Sequence, residues 1–466
     1  MADPAGAAPA DGVVDLVVLG GGSGGYAAAF RAAELGMSVT LVEKDKLGGT
    51  CLHRGCIPTK ALLHAAEVAD SARHSEQFGV RASFDSVDMA GVNKYKDAVV
   101  GRLYKGLQGL AKANKVTVVE GEGRLVAKDT VEVAGRRITG RNVVLATGST
   151  SRTLPGLEVG GRVLTSDTAL ALDHVPQSAV ILGGGVIGVE FASAWKAFGV
   201  DVTIVEGLDR LIPVEDEACS KAFERAYRKR GITFHTGVRF KGVEQSETGV
   251  VVSLEDGRQI EAEYLLVAVG RGPVTAGFGF EEQGVVLERG FVQVDERLHT
   301  GVENVYAVGD IVAGLQLAHR GFAHGIFVAE QIAGLSPVPV VDSSVPRVTY
   351  SDPEVASVGL TEGQARELYG EDQVSTFEYN LAGNGRSQIL GTAGFVKLVR
   401  RKDGPLVGIH TVGSRMGEQI GEAQLIVNWE AYPEEVAQLI HAHPTQNEAM
   451  GEAHLALAGK PLHSHG

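Results

Sequence analysis

The chain has 466 residues, too many for one hydrophobic core, so two or more domains are expected. With 44% hydrophobic and 21% charged residues it reads as globular, and a net charge of −14 argues against nucleic acid as a partner. Three cysteines exclude a disulfide-stapled secreted scaffold, and no apolar run is long and uninterrupted enough to span a membrane. The opening MADPAGAAPADG has neither a basic region nor an apolar core, so residues 1–12 are expected as a disordered leader and the setting as cytoplasmic.

In chain order, VVDLVVL at 13–19 suits a buried parallel strand, and GGGSGG at 20–25 leads into the helical run YAAAFRAAELG. Gly20, Gly22 and Gly25 fit G-x-G-x-x-G between strand and helix. The first glycine permits the turn, the second lets backbone approach a pyrophosphate, and the third lets helix pack closely on strand. The next strand, SVTLVEK, ends on Glu43, where a carboxylate can take ribose hydroxyls. Dinucleotide binding follows.

Two cysteines, Cys51 and Cys56, lie in GGTCLHRGCIPTKALLH. Zinc needs four ligands, and His53 and His64 complete no familiar set, so no metal is expected. On an ideal helix, residues five apart have Cα atoms roughly 9 Å apart. A disulfide needs about 4.4–6.8 Å, so the segment must bend if the pair bonds. Gly55 supplies the flexibility, and Pro58 marks where helix restarts. In a reducing compartment such a pair reads as a redox dithiol/disulfide. Lys60 lies one helical turn past Cys56; it either sets a positive charge by a thiolate and a cofactor or forms a solvated surface pair.

VVLATGS at 143–149 is a strand running into a small-residue turn that contains Thr147 and Gly148. The first motif then recurs. AVIL at 179–182 precedes GGGVIG, with Gly183, Gly185 and Gly188 at the same spacing, and the following strand ends on Glu206. An acid there repels a 2′-phosphate and favours NAD over NADP, although Arg210 is close in sequence. Glu190, just after Gly188, can pair with Lys60 near a nicotinamide or sit on a solvated surface. LLVAVGRGP at 265–273 is another strand and turn, with Gly270 and with Arg271 contacting a phosphate or facing solvent. VYAVGDI at 305–311 sets Asp310 at a strand end, to bind a cofactor's polyol or ribose or to cap the next helix.

Two dinucleotide units around a dithiol suggest electron transfer. A nicotinamide carries hydride, a disulfide opens by thiolate chemistry, and a flavin can couple the two. The first unit, beside the cysteines, is therefore expected to hold FAD and the second NAD. From PRVTYSDPEVASVG onward, strand-like and helical runs mix in a terminal α+β domain. There HAHPTQNE places His443 before a proline, with Glu448 five residues on. The pair is a base with its orienting acid, or a loop histidine near a helix start.

The ordered set GGGSGG, GGTCLHRGCIPTK, ATGS, GGGVIGVE, VGRGP, YAVGDI and HAHPTQNE resembles the pyridine nucleotide–disulfide oxidoreductases, and among them those that oxidise dihydrolipoamide. The likeness runs from about residue 13 to 463. It implies an α/β fold of two Rossmann-like dinucleotide-binding domains plus a C-terminal α+β dimerisation domain. The expected boundaries are 13–150 for the first part of the FAD-binding domain, 151–275 for the NAD-binding domain, 276–345 for the return to the first, and 346–466 for the interface domain. The implied reaction is flavin-dependent oxidation of protein-bound dihydrolipoamide with reduction of NAD+, in a homodimer serving lipoyl domains of 2-oxoacid dehydrogenase or glycine cleavage complexes. By the same resemblance Cys51 is the interchange thiol and Cys56 the sulfur beside the flavin. Lys60 pairs with Glu190, Glu43 and Asp310 hold FAD, and Glu206 selects NAD. His443, oriented by Glu448, serves the partner subunit as base.

His53 and Gly272 depart from the residues the family often has there. A glutathione-type reductase is disfavoured by Glu206 and by Val186, where that type has Tyr. A mercuric reductase is disfavoured by the absence of a C-terminal cysteine pair, Cys219 being the only other cysteine. A mycothiol-type reductase and a flavin-binding module without turnover are the remaining alternatives.

Overall fold

A computed structural model describes residues 12–464, so all but Gly12 of the expected leader lies outside the described residues. The chain separates into two compact units. One gathers the residues up to Ala61 with Ala90–Arg152 and Gly270–Asp342; the other gathers Leu62–Met89, Thr153–Val269 and the residues from Ser343 onward.

The first unit is built on a seven-stranded sheet in the order Thr117–Glu120, Val39–Glu43, Val13–Leu19, Arg136–Leu145, Thr130–Val133, Gly123–Ala127, with Val305–Ala307 also paired to Arg136–Leu145. Val13–Leu19 runs parallel to both neighbours, pairing Val18 with Leu41 and with Val144. Its apolar residues Leu16–Leu19 are fully or almost fully buried, as a strand covered on both faces requires. Asp15 is tolerated in that strand because its carboxylate accepts from the Ser38 amide at 2.8 Å and the Ser38 hydroxyl at 2.7 Å.

The helix after this strand, Ser23–Glu34, is rich in Ala and Gly and packs on Ala318–Ile332. The backbones approach so closely that a Cβ on Gly325 would stand 2.3 Å from the Gly24 carbonyl oxygen. Glycine is needed there for contact, not for an unusual φ.

The second unit carries an all-parallel five-stranded sheet in the order Thr233–His235, Asp201–Val205, Ser178–Leu182, Tyr264–Val267, Val163–Thr165. A three-stranded antiparallel meander covers Phe240–Ala262. Its C-terminal part is an antiparallel sheet ordered Arg347–Thr349, Glu354–Gly359, Leu406–Gly413, Phe395–Arg401, Val374–Asn380, with the helix Met416–Asn428 packed against it. Lys397 of that sheet is buried and ion-paired to Asp216 and Glu362, each at 2.7 Å. Asp216 also caps the helix Glu217–Lys229, accepting from the Ala218 amide at 3.0 Å. One buried network therefore ties the end of the second nucleotide region to the terminal sheet.

One expected element differs in extent. The first helix starts at Ser23, not Tyr26, because Gly24 and Gly25 are helical residues that face neighbouring backbone. Within the strand and turn expected at 265–273, the strand ends at Val267, and Arg271–Pro273 forms a second short strand paired with Ser149–Ser151. Among the described residues, no helix is long and apolar enough to cross a membrane.

Gly325→Val tests the helix contact. Its side chain must push the Ser23–Glu34 helix away, and overpacking of this kind costs about 1–3 kcal/mol. A lowered thermal midpoint with loss of retained flavin is expected; an unchanged midpoint would show that the two helices part freely.

Candidate active site

The two glycine turns repeat one geometry. Gly20 has φ +106° and Gly183 φ +111°, a left-handed backbone in which a Cβ would meet the Ala146 or Ala268 carbonyl oxygen at 2.3 or 2.4 Å. A Cβ on Gly25 would lie 1.9 Å from the Gly20 oxygen, and one on Gly188 would lie 2.0 Å from the Gly183 oxygen. Between them, Gly22 and Gly185 are the extended N-cap residues of Ser23–Glu34 and Val186–Phe198. Neither cap is closed by a side chain, and neither first turn carries an acid. A Cβ on either glycine would point into open space. The free amides and the positive helix ends thus face room in which a pyrophosphate fits.

Each turn is locked by its strand-end carboxylate. Glu43 accepts from the Gly21 amide at 2.6 Å and the Asp45 amide at 2.9 Å. Glu206 accepts from Gly184 at 2.6 Å and Leu208 at 2.8 Å. Each carboxylate oxygen keeps a second lone pair with which to accept a ribose hydroxyl. Burial raises the Glu43 pKa, with the Gly21 and Lys44 amides working against it. Arg210 is committed elsewhere, donating to the Pro213 and Glu215 carbonyls at 2.8 and 3.1 Å.

Cys51 lies in the helix Gly49–Arg54 and Cys56 opens the helix Cys56–Arg73. The break falls at Gly55, whose φ −133° and ψ −109° belong to neither helix. This is the bend that bonding of the pair requires. Both residues stand as thiols and are half-buried. They hydrogen-bond each other, and the adjacent Cys56 sulfur and burial push the Cys51 thiol far up while Lys60 pulls it down. Two sulfurs this close resist carrying two negative charges.

Tyr26 reaches the same charges. Burial, then Cys51 and Cys56, push its phenol to about 12. His53 fills its place with a 2.9 Å contact to the Leu47 carbonyl and an edge-on contact to the Tyr104 ring.

Thr147 donates to the Val274 carbonyl at 2.5 Å, and Gly148 and Gly270 take positive φ beside it. Arg271 is half-buried. Its guanidinium donates to the Ser149 hydroxyl at 2.8 Å and the Ser149 carbonyl at 2.6 Å. Ser149 in turn donates to Asp310 at 2.5 Å. Asp310 sits in a short turn, Gly309–Ile311, and is not a helix cap. The Arg152 side chain lies over Gly272, 3.2 Å from where its Cβ would stand. His324, buried and pushed down to about 4 by burial and then Arg320, stays neutral and accepts from the Gly309 amide at 3.3 Å. Tyr26 and His324 carry no sequence signature, since each owes its place to residues far along the chain.

In the second unit, Glu190 is 3% exposed and accepts from the Tyr350 amide at 2.9 Å, so it is no solvated surface group. His443 Nδ1 meets Glu448 Oε1 at 2.8 Å, while the imidazole itself is 77% exposed. The other Glu448 oxygen accepts from the Thr445 amide at 2.7 Å. Burial opposes ionisation of Glu448, but the Thr445 amide and His443 together hold its pKa below the usual carboxylate value. The acid is a fixed anion that holds Nδ1 of a ring otherwise largely exposed. Among the described residues, no group of three or more His, Cys, Asp and Glu can hold a metal.

Gly25→Ala and Gly188→Ala separate the two nucleotide sites. Each forces a methyl into a carbonyl oxygen about 2 Å away. Flavin content should fall in the first variant, and NADH binding, with flavin retained, in the second. Equal flavin loss in both would contradict independent sites.

The sequence matches the family described as Pyridine nucleotide-disulphide oxidoreductase over residues 14–325, and that family's dimerisation domain over 345–454. It is similar to a dihydrolipoyl dehydrogenase of Bacillus subtilis, 43% identical over 96% of this chain and 99% of that one. One from Geobacillus stearothermophilus is 40% identical over 96% of this chain and 97% of its own. Among solved structures, LpdA from Mycobacterium tuberculosis matches with a TM-score of 0.89 and 26% identity, over 96% of this chain and all of that one. With both parts of the family matched, the chain belongs to the pyridine nucleotide–disulphide oxidoreductases, FAD- and NAD-dependent enzymes.

Proposed function

We propose that the protein oxidises dihydrolipoamide to lipoamide and reduces NAD+. The observation that carries this is the Cys51–Cys56 contact across the Gly55 break, in the same compact unit as the Gly20–Gly25 turn. When bound, FAD supplies the two-electron link between the cysteine pair and NAD+. The amides at Gly22 would hold its pyrophosphate, Glu43 its ribose, and Asp310, set by Ser149 and Arg271, its polyol. Gly185 and Glu206 would hold the pyrophosphate and ribose of NAD+.

His443 takes a proton from the incoming dithiol, whose unperturbed pKa of about 8.5 or higher leaves it mostly protonated at neutral pH. The resulting thiolate attacks Cys51, breaking the Cys51–Cys56 bond and forming a mixed disulfide. The second substrate sulfur then displaces Cys51, leaving lipoamide and two protein thiols. Reoxidation of that pair delivers two electrons to NAD+ and releases a proton. Lys60 would stabilise the Cys56 thiolate.

The working form is a homodimer in which His443 serves the partner's cysteines. The exposure of its ring on the segment that matches the dimerisation domain supports this. The setting is the cytoplasm, and the physiological partners are lipoyl domains of 2-oxoacid dehydrogenase or glycine cleavage complexes.

Mixing subunits tests the shared site. General-base assistance is typically worth about 10²–10⁴-fold, so His443→Gln should lose dihydrolipoamide turnover on that scale while keeping FAD. Cys51→Ser should be inactive. After exchange, mixed dimers should regain activity, since one site per dimer is then intact. No recovery, with exchange confirmed by mass, would sink the shared site. Parallel assays with glutathione and mycothiol disulfides and NADH test the substrate class; faster turnover of either would overturn dihydrolipoamide.

Cofactor choice rests on Glu206. Glu206→Gln keeps its shape and removes its charge. Preference for NAD+ over NADP+, as a ratio of kcat/KM, should fall at least about tenfold, equivalent to 1.4 kcal/mol. An unchanged ratio would move selection to another residue.

A further inference from the structure

The loop that carries His443 is exposed at its centre and gripped at its ends. His441, two residues before His443, meets Glu422 Oε1 through Nε2 at 2.8 Å. Asn447, one residue before Glu448, donates its side-chain amide to Glu422 Oε2. One carboxylate, on the helix Met416–Asn428, therefore binds both ends of the segment that spans the base and reaches its acid. The grip is largely shielded from water: the His441 side chain is 11% exposed and that of Glu422 24%. Burial raises the Glu422 pKa, but His441 and Asn447 outweigh it and hold the group below the usual carboxylate value. In turn Glu422, above all, raises His441 against the effect of burial.

The surroundings are shaped for this contact. The His441 ring lies on the helix Glu448–Leu457 at Gly451, where a Cβ would stand 2.5 Å from Nδ1. Between the two grips, the Thr445 carbonyl accepts from the buried Asn384 side chain at 2.9 Å, and the Thr445 hydroxyl donates to the Ala442 carbonyl at 2.7 Å. The ring of His443, by contrast, has Glu448 beside it and is otherwise largely open. Its position must be inherited from the loop. An exposed imidazole on an unanchored loop would sample many orientations, and a misplacement of about 1 Å can cost about 10²-fold in rate.

We propose that Glu422 is a positioning residue: by bridging His441 and Asn447 it fixes the loop that holds the His443–Glu448 pair in working geometry. This rests on the base role given to His443 above. Glu422 touches neither substrate nor cofactor in this account and acts only through His443. Its effect should therefore disappear when His443 is already gone.

The experiment is a double-mutant cycle on the full-length holoenzyme. Glu422→Ala should lower kcat for dihydrolipoamide oxidation about 10- to 100-fold while FAD content and NADH:ferricyanide activity, which needs no dithiol base, stay unchanged. Asn447→Ala releases one end only and should lose less. In a His443→Gln background, Glu422→Ala should cost nothing further. An equal loss in that background would overturn the proposal, as would wild-type turnover in both single variants. Should Glu422→Ala fail to retain FAD, Asn447→Ala carries the test in the same cycle. Hydrogen exchange across 441–448 gives a readout independent of substrate. The Thr445 amide, bonded to Glu448, should exchange faster in Glu422→Ala. Unchanged exchange would sink the clamp. A wild-type enzyme inactive on dihydrolipoamide would instead remove the proposed reaction and leave the clamp to be judged by exchange.

Discussion

Two backbone contacts that admit no side chain set the frame. Where Gly25 meets the Gly20 carbonyl and Gly188 meets that of Gly183, helix and strand approach to a distance that leaves no room for a Cβ. The approach brings an uncapped helix end to the C-terminal end of the strand before it. The carboxylate closing the next strand then fastens each turn from the side, Glu43 through Gly21 and Glu206 through Gly184. Other placements follow in the first unit. The helix Ser23–Glu34 is held from its other side by Gly325, and the cysteine segment leaves directly from the Glu43 strand. The recurrence of the arrangement 163 residues later, with hydrogen-bond lengths that agree, marks it as a solution dictated by sterics rather than by local composition.

The reactive groups share a logic of incomplete satisfaction. Cys51 and Cys56 face each other as thiols, ionisation of Cys51 being opposed by the adjacent Cys56 sulfur and by burial and favoured by Lys60. Oxidation of the pair to the disulfide gives up two electrons, which NAD+ takes in the proposed reaction. His443 is the complementary case. One nitrogen is fixed by an ionised Glu448 and the other side of the ring is open. An imidazole held this way has its tautomer and orientation set by the acid behind it. His324 shows the opposite design: burial keeps it neutral, and its ring serves to brace the Gly309 turn beside Asp310.

Much of this was legible in the sequence because it is local. Glycine spacing, the strand-end acids, the need for a bend at Gly55 and the five-residue step from His443 to Glu448 all lie within short windows where chain geometry limits the options. What the sequence left open depends on residues far apart. Arg271 reads as a phosphate contact or a solvent-facing group and Arg210 as a cation close to Glu206, yet they donate to Ser149 and to the Pro213 and Glu215 carbonyls respectively. Glu190 read equally well as a surface group until its burial under the Tyr350 amide was seen. Tyr26 and Glu422 were not singled out, because nothing in GGYAAAF or in GEAQLIV identifies the cysteines or the histidine they approach. The departures at His53 and Gly272 are absorbed locally, by the Leu47 carbonyl and by the Arg152 side chain.

The central claim is that electrons pass between a nicotinamide and the Cys51–Cys56 bond. Counting thiols on the denatured chain, by alkylation and mass spectrometry, tests it directly. The air-oxidised holoenzyme should show one, Cys219. After one equivalent of NADH is consumed without oxygen, it should show three, the two new ones mapping to Cys51 and Cys56. Consumption of NADH with the count unchanged would contradict the account.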